Sequence, residues 1–314
     1  MTAIEWLGWT GAGLVVLGLL LHLFHRRLRA SLAAPREAIG NSLSGHGLTG
    51  REVSFPTARG RTLRGWWLDG QPGQGDGQGV AIVTHGWGAN REMMLPLAIS
   101  LREAGWQVLL FDARNHGESD DDDFSSMPRF AEDTEAAIDW VRDRPEHAAS
   151  PVVLIGHSVG AAAVLLVASR RRDIHGVISL SAFAHPEGMM RRWLAWKRLP
   201  FLPIGWYVLR HVERVIGHRF DDIAPITTLP RVDCPVLLAH GRSDPIVPFE
   251  DAEALYAHRG DALVTFEPLP GGHDLSDQLA EHRPILLAFL RQCGRASRNE
   301  GDIGTDRQHE TLPR

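Results

Sequence analysis

The chain has 314 residues, a formal net charge of -5 at pH 7 and 33 basic side chains spread along its length. That length fits one elaborated α/β domain with appendages. The charge balance, without zinc-finger spacing, an arginine-rich tail or an aromatic RNA-binding signature, argues against nucleic acid as a partner. The two cysteines, Cys234 and Cys293, are too few for a disulfide framework and are predicted to be small buried hydrophobic side chains.

The first predicted element is the segment from Trp6 to Phe24, in which His22 is the one titratable side chain. As a helix it would reach about 28 Å, close to the thickness of a bilayer's hydrocarbon layer, which predicts a single transmembrane anchor over residues 1–29. A cleavable signal peptide is the alternative, but no Lys or Arg precedes the segment and no A-x-A site follows it. The basic cluster from His25 to Arg29 predicts a cytoplasmic catalytic domain by the positive-inside rule.

Residues 30–50 are rich in glycine and predict a tether. The next predicted elements are a hairpin over 51–57 and 61–68 and a Gly/Gln-rich loop over 69–79. Strands are then predicted over residues 80–84, 106–111, 152–155, 177–180, 236–239 and 263–266, and helices over 91–103, 127–142, from 158, 249–258 and 275–291. This alternation predicts an α/β fold over residues 51–292, with a mostly parallel central sheet and helices on both faces. Residues 293–314 are predicted to be a disordered tail.

The alternation is interrupted at about residues 183–228, where four prolines and an aromatic stretch predict an inserted helical lid. Basic residues exceed acidic ones between Pro186 and Arg219, although the whole chain is acidic. Two interpretations remain open. The lid packs its aromatic face on the core with its arginines in water, or it also contacts the anionic lipid surface that holds the anchor.

The sequence between Gly156 and Gly160 is a G-x-S-x-G motif that follows a predicted buried strand and opens a helix of small residues. A serine in such a sharp turn is presented above the sheet, beside a helix N-terminus that favours negative charge. Ser158 is therefore the predicted nucleophile. A turn serine without a catalytic role is the alternative.

A serine nucleophile needs a base, and the base needs a group that orients it. His273 and Asp244 follow two predicted neighbouring strands, so both belong to the carboxyl edge of the sheet. His273 is predicted to take the serine proton and return it to the leaving group, while Asp244 orients the ring. Asp222 is the rival for the acid, and Asp274 is assigned to solvent or a helix cap. Structural roles are predicted for four further histidines: His85, His116, His157 and His240.

Two backbone N–H groups, those of Trp87 and Val159, are predicted to form the oxyanion hole. Trp87 lies in the loop after the first buried strand, and Val159 directly follows the nucleophile. No cluster of residues has the spacing of metal ligands, and the acidic run from Asp120 to Asp123 is predicted to be a solvated loop.

Five motifs together resemble, in chain order, the conserved segments of the α/β-hydrolase superfamily. They are His85-Gly86-x-Gly88, the run Asp112 to Ser119, the motif around Ser158, His240-Gly241-x-x-Asp244-x-x-Val247-Pro248 and Gly272-His273. The chain is most similar to membrane-anchored serine hydrolases of the serine aminopeptidase and monoacylglycerol-lipase-like branches. The resemblance implies an α/β-hydrolase fold, a serine triad and no cofactor. Asn115 departs from it, since many relatives have glycine there.

These observations predict a serine hydrolase that cleaves carboxylic esters, with lipid acyl esters as one candidate class, through an acyl-enzyme that water resolves. A thioesterase or an aminopeptidase-type amide hydrolase would use the same triad. The alternative of another class is a non-catalytic, membrane-bound binding module with this fold. The sequence makes no prediction of oligomeric state.

Overall fold

One sheet organises the chain, whose computed structural model describes residues 3–71, 79–275 and 283–293. Within these ranges its strands are β1 (Arg51–Thr57), β2 (Arg61–Leu68), β3 (Val80–Thr84), β4 (Gln107–Phe111), β5 (Val152–His157), β6 (Gly176–Leu180), β7 (Val236–Gly241) and β8 (Val264–Leu269). They lie in the order β1-β2-β4-β3-β5-β6-β7-β8. β2 is antiparallel to both of its neighbours, and the pairings from β4 through to β8 are parallel. The predicted mostly parallel sheet is confirmed.

Helices cover both faces of this sheet. The α-helices of the described residues are α1 (Ala3–Ser31), α2 (Leu95–Glu103), α3 (Met127–Arg142), α4 (Val159–Ala168), α5 (Pro186–Trp196), α6 (Trp206–Ile216), α7 (Phe220–Ile223), α8 (Pro225–Thr228), α9 (Phe249–Ala257) and α10 over 283–293. Successive residues of a strand point to opposite faces. Val152 and Leu154 of β5 accordingly pack with α3 and α4, whereas Val153 and Ile155 pack with α2 and α10. β5 is thus buried on both sides, which explains its continuous apolar run.

One predicted helix differs from the structure at its start, and the start of another lies outside the described residues. The helix predicted over 91–103 begins as a 3-10 turn, Arg91–Met94, whose first amides are capped by Asn90. Pro96 then stands at the start of α2, where its missing N–H costs nothing. The closing helix is seen over 283–293, since residues 276–282 lie outside the described part. Most of the predicted Gly/Gln-rich loop and the tail beyond residue 293 also lie outside it.

The amino-terminal segment does form a helix, α1, but the predicted membrane span is wrong. In the part of the chain that the structure describes, no helix is both long enough and apolar enough to cross a membrane. The segment predicted to span the membrane, Trp6 to Phe24, lies within α1. Arg26, Arg27 and Arg29 follow within the same helix. The anchor over residues 1–29 and the localisation inferred from it are corrected accordingly.

The interruption predicted between residues 183 and 228 contains α5, α6, α7 and α8, inserted between β6 and β7. Leu194, Leu209 and Phe220 form a small apolar cluster within this segment, separate from the clusters on the two sheet faces. Both cysteines are free and buried, as predicted. Burial raises the pKa of the Cys234 and Cys293 thiols to about 12, so neither is a ready nucleophile.

Candidate active site

Ser158 occupies a strained turn between β5 and α4. Its backbone has φ 55° and ψ -117°, a conformation that costs roughly 1–3 kcal/mol and persists only where the surroundings enforce it. The neighbouring glycines make the turn possible, because a side chain on Gly156 would overlap the backbone of Gly160, and one on Gly160 the backbone of His85. The Ser158 N–H donates to the Leu180 carbonyl at 2.8 Å. The hydroxyl thus stands at the carboxyl end of β5, beside the N-terminus of α4.

Asp244 and His273 form a hydrogen-bonded pair in the loops after β7 and β8. The distance from His273 Nδ1 to Asp244 Oδ2 is 2.8 Å, and the aspartate side chain is fully buried. The other carboxylate oxygen accepts the N–H groups of Ile246 and Val247 at 2.8 and 2.9 Å. Because a carboxylate only accepts, His273 Nδ1 must carry the proton in this bond. Its Nε2 is then the basic nitrogen, as a serine proton acceptor requires.

The loop that carries His273 is fastened to the nucleophile turn. The backbone carbonyl of His273 accepts hydrogen bonds from His157 Nε2 and Ser181 Oγ, both at 2.8 Å. Burial lowers the pKa of His157, which favours the neutral ring with its proton on the donating nitrogen. The sequence analysis assigned His157 a structural role without finding this contact. The feature of the sequence that could have indicated this contact is the position of His157 next to Ser158.

The rivals for the triad roles lie elsewhere or have other partners. Asp222 is an exposed residue of α7, whereas His273 Nδ1 bonds to Asp244. His240 donates from Nε2 to the Val247 carbonyl at 2.9 Å and so supports the turn that presents Asp244. Of the sequence candidates, the structure therefore brings Ser158, Asp244 and His273 to one edge of the sheet.

Two buried histidines shape the loop of the predicted oxyanion hole. His85 accepts the Ala113 N–H on Nε2 at 3.0 Å and donates from Nδ1 to Gly86. His116 Nε2 accepts the Gly88 N–H at 3.1 Å. Burial lowers the pKa of both rings to about 4. They remain neutral at pH 7, as accepting an N–H requires.

The two predicted oxyanion donors, Trp87 and Val159, line a cavity together with Ser158. Val159 is the first residue of α4, so its N–H has no partner within the helix. Within the described residues, the Trp87 N–H also has no hydrogen-bond partner. The Trp87 ring stacks on Phe130 with a centroid distance of 6.3 Å. Neither amide therefore has a hydrogen-bond partner in the described part of the chain.

The motif from Asp112 to Ser119 builds the support beneath this loop. Asp112 is fully buried and accepts the N–H groups of Arg91 and Glu118 at 2.8 and 2.9 Å, as well as the Arg91 guanidinium. No structural role was predicted for this motif from the sequence. Its task is to hold the start of the 3-10 turn against the end of β4.

Asn115, the departure from the family pattern, has φ +65°. That region favours glycine, and asparagine is among the few other residues that enter it easily. Asn115 Oδ1 accepts the Asp122 N–H at 2.7 Å, which compensates for the turn. Asp122 itself is not solvated as predicted, because its buried carboxylate lies 3.1 Å from Arg114 and 3.2 Å from Arg129. The predicted solvated loop is correct for Asp121, which is exposed.

Two cavities meet at Ser158. One, of about 580 Å³, is lined by His273, His157 and the loop from Gly86 to Asn90. The other, of about 310 Å³, is lined by Val159 and by apolar side chains of the inserted segment, among them Met189 and Trp193. Ser158 and Trp87 line both. Among the described residues, no group of His, Cys, Asp and Glu could hold a metal ion.

Known proteins are similar to this chain in sequence and in fold. Residues 75–217 match the family described as serine aminopeptidase, S33. The uncharacterized protein YfhR of Escherichia coli (strain K12) is 30% identical over 208 residues, which cover 65% of this chain and 66%, just under two thirds, of YfhR. A pimeloyl-[acyl-carrier protein] methyl ester esterase of Neisseria meningitidis is 28% identical over 226 residues, 59% of this chain and 83% of that protein.

The esterase Pf2001 of Pyrococcus furiosus is a structural neighbour, with a TM-score of 0.66, 21% sequence identity, and 83% of this chain and 98% of Pf2001 covered. At that identity the likeness concerns the fold. The chain has an α/β-hydrolase fold, and part of it is similar in sequence to the family described as serine aminopeptidase, S33.

Proposed function

We propose that the protein is a serine hydrolase that cleaves carboxylic esters, with Ser158 as nucleophile, His273 as general base and acid, and Asp244 as the group that orients His273. The observation that carries the proposal is the 2.8 Å bond between His273 Nδ1 and the buried Asp244, beside a strained serine in the same cavity. Strain of this kind is maintained where it has a use.

In the proposed reaction, Ser158 Oγ attacks the ester carbonyl carbon while its proton passes to His273 Nε2. The N–H groups of Trp87 and Val159 bind the oxygen that becomes negative. The carbon–oxygen bond to the alcohol then breaks, and His273 gives the proton to the departing oxygen. Water, deprotonated by the same nitrogen, attacks the acyl-enzyme and releases the carboxylic acid and free Ser158.

Two observations support an acyl ester as the substrate. The cavity of about 310 Å³ is lined mainly by apolar side chains of the inserted segment, which suits an acyl group. The names of two similar proteins, from Neisseria meningitidis and Pyrococcus furiosus, contain the word esterase. The description of the matching family, serine aminopeptidase, is the reason to include amides in the test.

The proposal is tested by labelling with a fluorophosphonate probe and by hydrolysis of p-nitrophenyl esters from acetate to dodecanoate. A thioester series and aminoacyl anilides are measured in parallel. We expect the probe to modify Ser158, and ester cleavage to exceed amide cleavage. Ser158→Ala should lose both activities, whereas Ser169→Ala, at the other end of α4, should keep them. A folded protein that neither reacts with the probe nor cleaves any ester is a binding module instead.

A further inference from the structure

The segment from Phe24 to Leu43, here called the strap, does not behave as a free tether. Its end is anchored in the core, where Leu43 is 6% exposed and packs in the cluster that contains Trp66 and Leu68. Its middle is tied by Arg36, whose Nη1 donates to the carbonyls of Gly117 and Ser119 at 2.8 and 3.1 Å. The strap therefore has a defined path across the domain.

At its start the strap contacts the inserted segment. His25 Nε2 lies 2.8 Å from the Tyr207 hydroxyl, and the His25 ring stacks on the His211 ring with a centroid distance of 4.0 Å and an interplanar angle of 7°. Leu28, one turn further along α1, is 6% exposed. Tyr207 and His211 both belong to α6, so the end of α1 and the lid form one packed unit.

Further along, the strap contacts the loop of the proposed oxyanion hole. The Asn90 side-chain amide donates to the carbonyls of Glu37 and Ala38, both at 3.2 Å. Pro35 lies against Gly88 so closely that a Cβ on Gly88 would be 2.8 Å from the proline ring. The strap is therefore held next to Trp87, the residue between the two cavities.

Glu92 fastens the same region by its charge. Although burial opposes ionisation, hydrogen bonds from the Gly40 and Asn41 N–H groups and from His46 lower the pKa of Glu92. The ionised carboxylate thus joins the strap to the turn that follows the oxyanion loop. The contacts are short, at 2.5 to 3.1 Å.

The strap lines both cavities that meet at Ser158. Ser31, Leu32 and Ala33 line the cavity of about 310 Å³. Glu37 and Ala38 line the cavity of about 580 Å³. Leu32 and Ala33 also line a third cavity, of about 290 Å³, which extends towards Arg36 and Asp121. These two residues, together with Ser125, Val212 and Ile216, lie between the apolar cavity and the third one.

Proton transfer decides which cavity holds which half of an ester. The leaving oxygen must receive its proton from His273 Nε2, so the alcohol lies on the side of the cavity that His273 lines. The acyl group then occupies the other cavity, under the inserted segment. Assuming the proposed function, each half of the substrate meets a different part of the strap.

We propose that the strap determines the substrate specificity of this hydrolase. Leu32 and Ala33 close the acyl cavity and limit the length of the acyl group, while Glu37 and Ala38 close the alcohol cavity and limit the size of the leaving group. The strap is thus a wall of the site as well as a connection between α1 and β1.

Three Ala→Trp variants of the full chain test the proposal, because one segment has an alanine at each cavity and another outside both. Ala33→Trp places an indole at the acyl cavity, and Ala38→Trp places one at the alcohol cavity. Ala30→Trp is the matched control, since Ala30 is exposed and lines neither cavity. Thermal melting verifies that all three fold like the wild type.

For Ala33→Trp we expect the ratio of kcat/KM for p-nitrophenyl octanoate to that for acetate to fall by about tenfold or more, a difference typical of removed pocket space. For Ala38→Trp the same loss is expected in the ratio for naphthyl to ethyl butyrate. Ala30→Trp should keep both ratios. Leu32→Ala should act in the opposite direction and raise the ratio of dodecanoate to octanoate, because the acyl cavity gains access to the third cavity.

Unchanged ratios in Ala33→Trp, Ala38→Trp and Leu32→Ala, with a wild type that cleaves esters, overturn the proposal and leave the proposed function intact. A wild type that cleaves none of these esters and does not react with the fluorophosphonate overturns both. Equal loss on every substrate in Ala33→Trp and Ala38→Trp, without a change of ratio, also contradicts a specificity role, because it indicates general damage to the site.

Discussion

Buried histidines make the stability of this protein depend on pH, and His116→Gln is expected to remove part of that dependence. His116 is fully buried, and burial lowers its pKa from 6.5 to about 4. Glutamine can present an oxygen close to the position of Nε2 and so keep the bond from the Gly88 N–H. It does not titrate in this range.

The direction of the pH dependence follows from the protonation of His116 in the folded and the unfolded chain. Between pH 6.5 and about 4 the unfolded chain binds a proton on this histidine, while the folded chain does not. The free energy of unfolding is therefore highest above pH 6.5 and falls as the pH is lowered towards 4. For one histidine with this shift, the loss between pH 7 and pH 5 is about 2 kcal/mol.

Urea unfolding followed by tryptophan fluorescence, at pH 7 and pH 5, measures the effect. We expect wild type to lose about 2 kcal/mol more than His116→Gln over this interval. Buried histidines that do not contact His116 contribute to both proteins and cancel in the difference, whereas His85, whose ring centroid lies 5.0 Å from that of His116, interacts with it. His258→Gln, which changes an exposed histidine, is the control and should follow the wild type. If wild type and His116→Gln lose the same free energy, His116 is not held neutral as described.

Three other variants test the site and the turns around it. Asp244→Asn should retain the fold but lose about ten-thousandfold in kcat, because the amide favours the wrong tautomer of His273. Ester hydrolysis measures the loss of turnover, and circular dichroism verifies the fold. Near-normal turnover would assign the acid role to another residue. Gly160→Ala should reduce the melting temperature strongly, since its methyl group would lie 2.5 Å from a backbone oxygen of β3, whereas Gly188→Ala in α5 has space and should raise stability by up to about 1 kcal/mol. Asn115→Ala should destabilise by about 1 kcal/mol or more, owing to its φ of +65° and the lost side-chain acceptor, while Asn115→Gly should cost less; equal costs would show that the backbone conformation contributes nothing.

The parallel sheet and the positions of Ser158, Asp244 and His273 could be predicted because they depend on local patterns. A strand buried on both faces has a continuous apolar run, and residues that follow such strands share one edge of the sheet. The bond between Asp244 and His273 joins two predicted loops. The prediction of this bond required that β7 and β8 be neighbours in the sheet, and in the structure they are paired.

Contacts between segments distant in sequence could not be predicted in this way. Nothing local to Asn90 indicates that its amide donates to Glu37, or that the His273 carbonyl accepts from Ser181. Burial of a charged residue is also decided by its partners, as with Asp122 and its two arginines. The membrane prediction, in turn, depended on the length and apolar composition of one segment and on the basic residues that follow it.

The hydrogen bonds on the His273 carbonyl come from His157 at the end of β5 and from Ser181 at the end of β6, and none comes from the inserted segment. The parts proposed to make and break bonds are therefore mounted on the sheet, whereas the apolar walls around the acyl group belong to α5, α6 and the strap. Movement of those walls to admit a substrate or release a product would leave the relation between Ser158 and His273 undisturbed. The pair of Asp244 and His273 is then supported by the sheet and not by α5 or α6, so exchanging the walls that these two helices provide should change what is cleaved without rebuilding that pair.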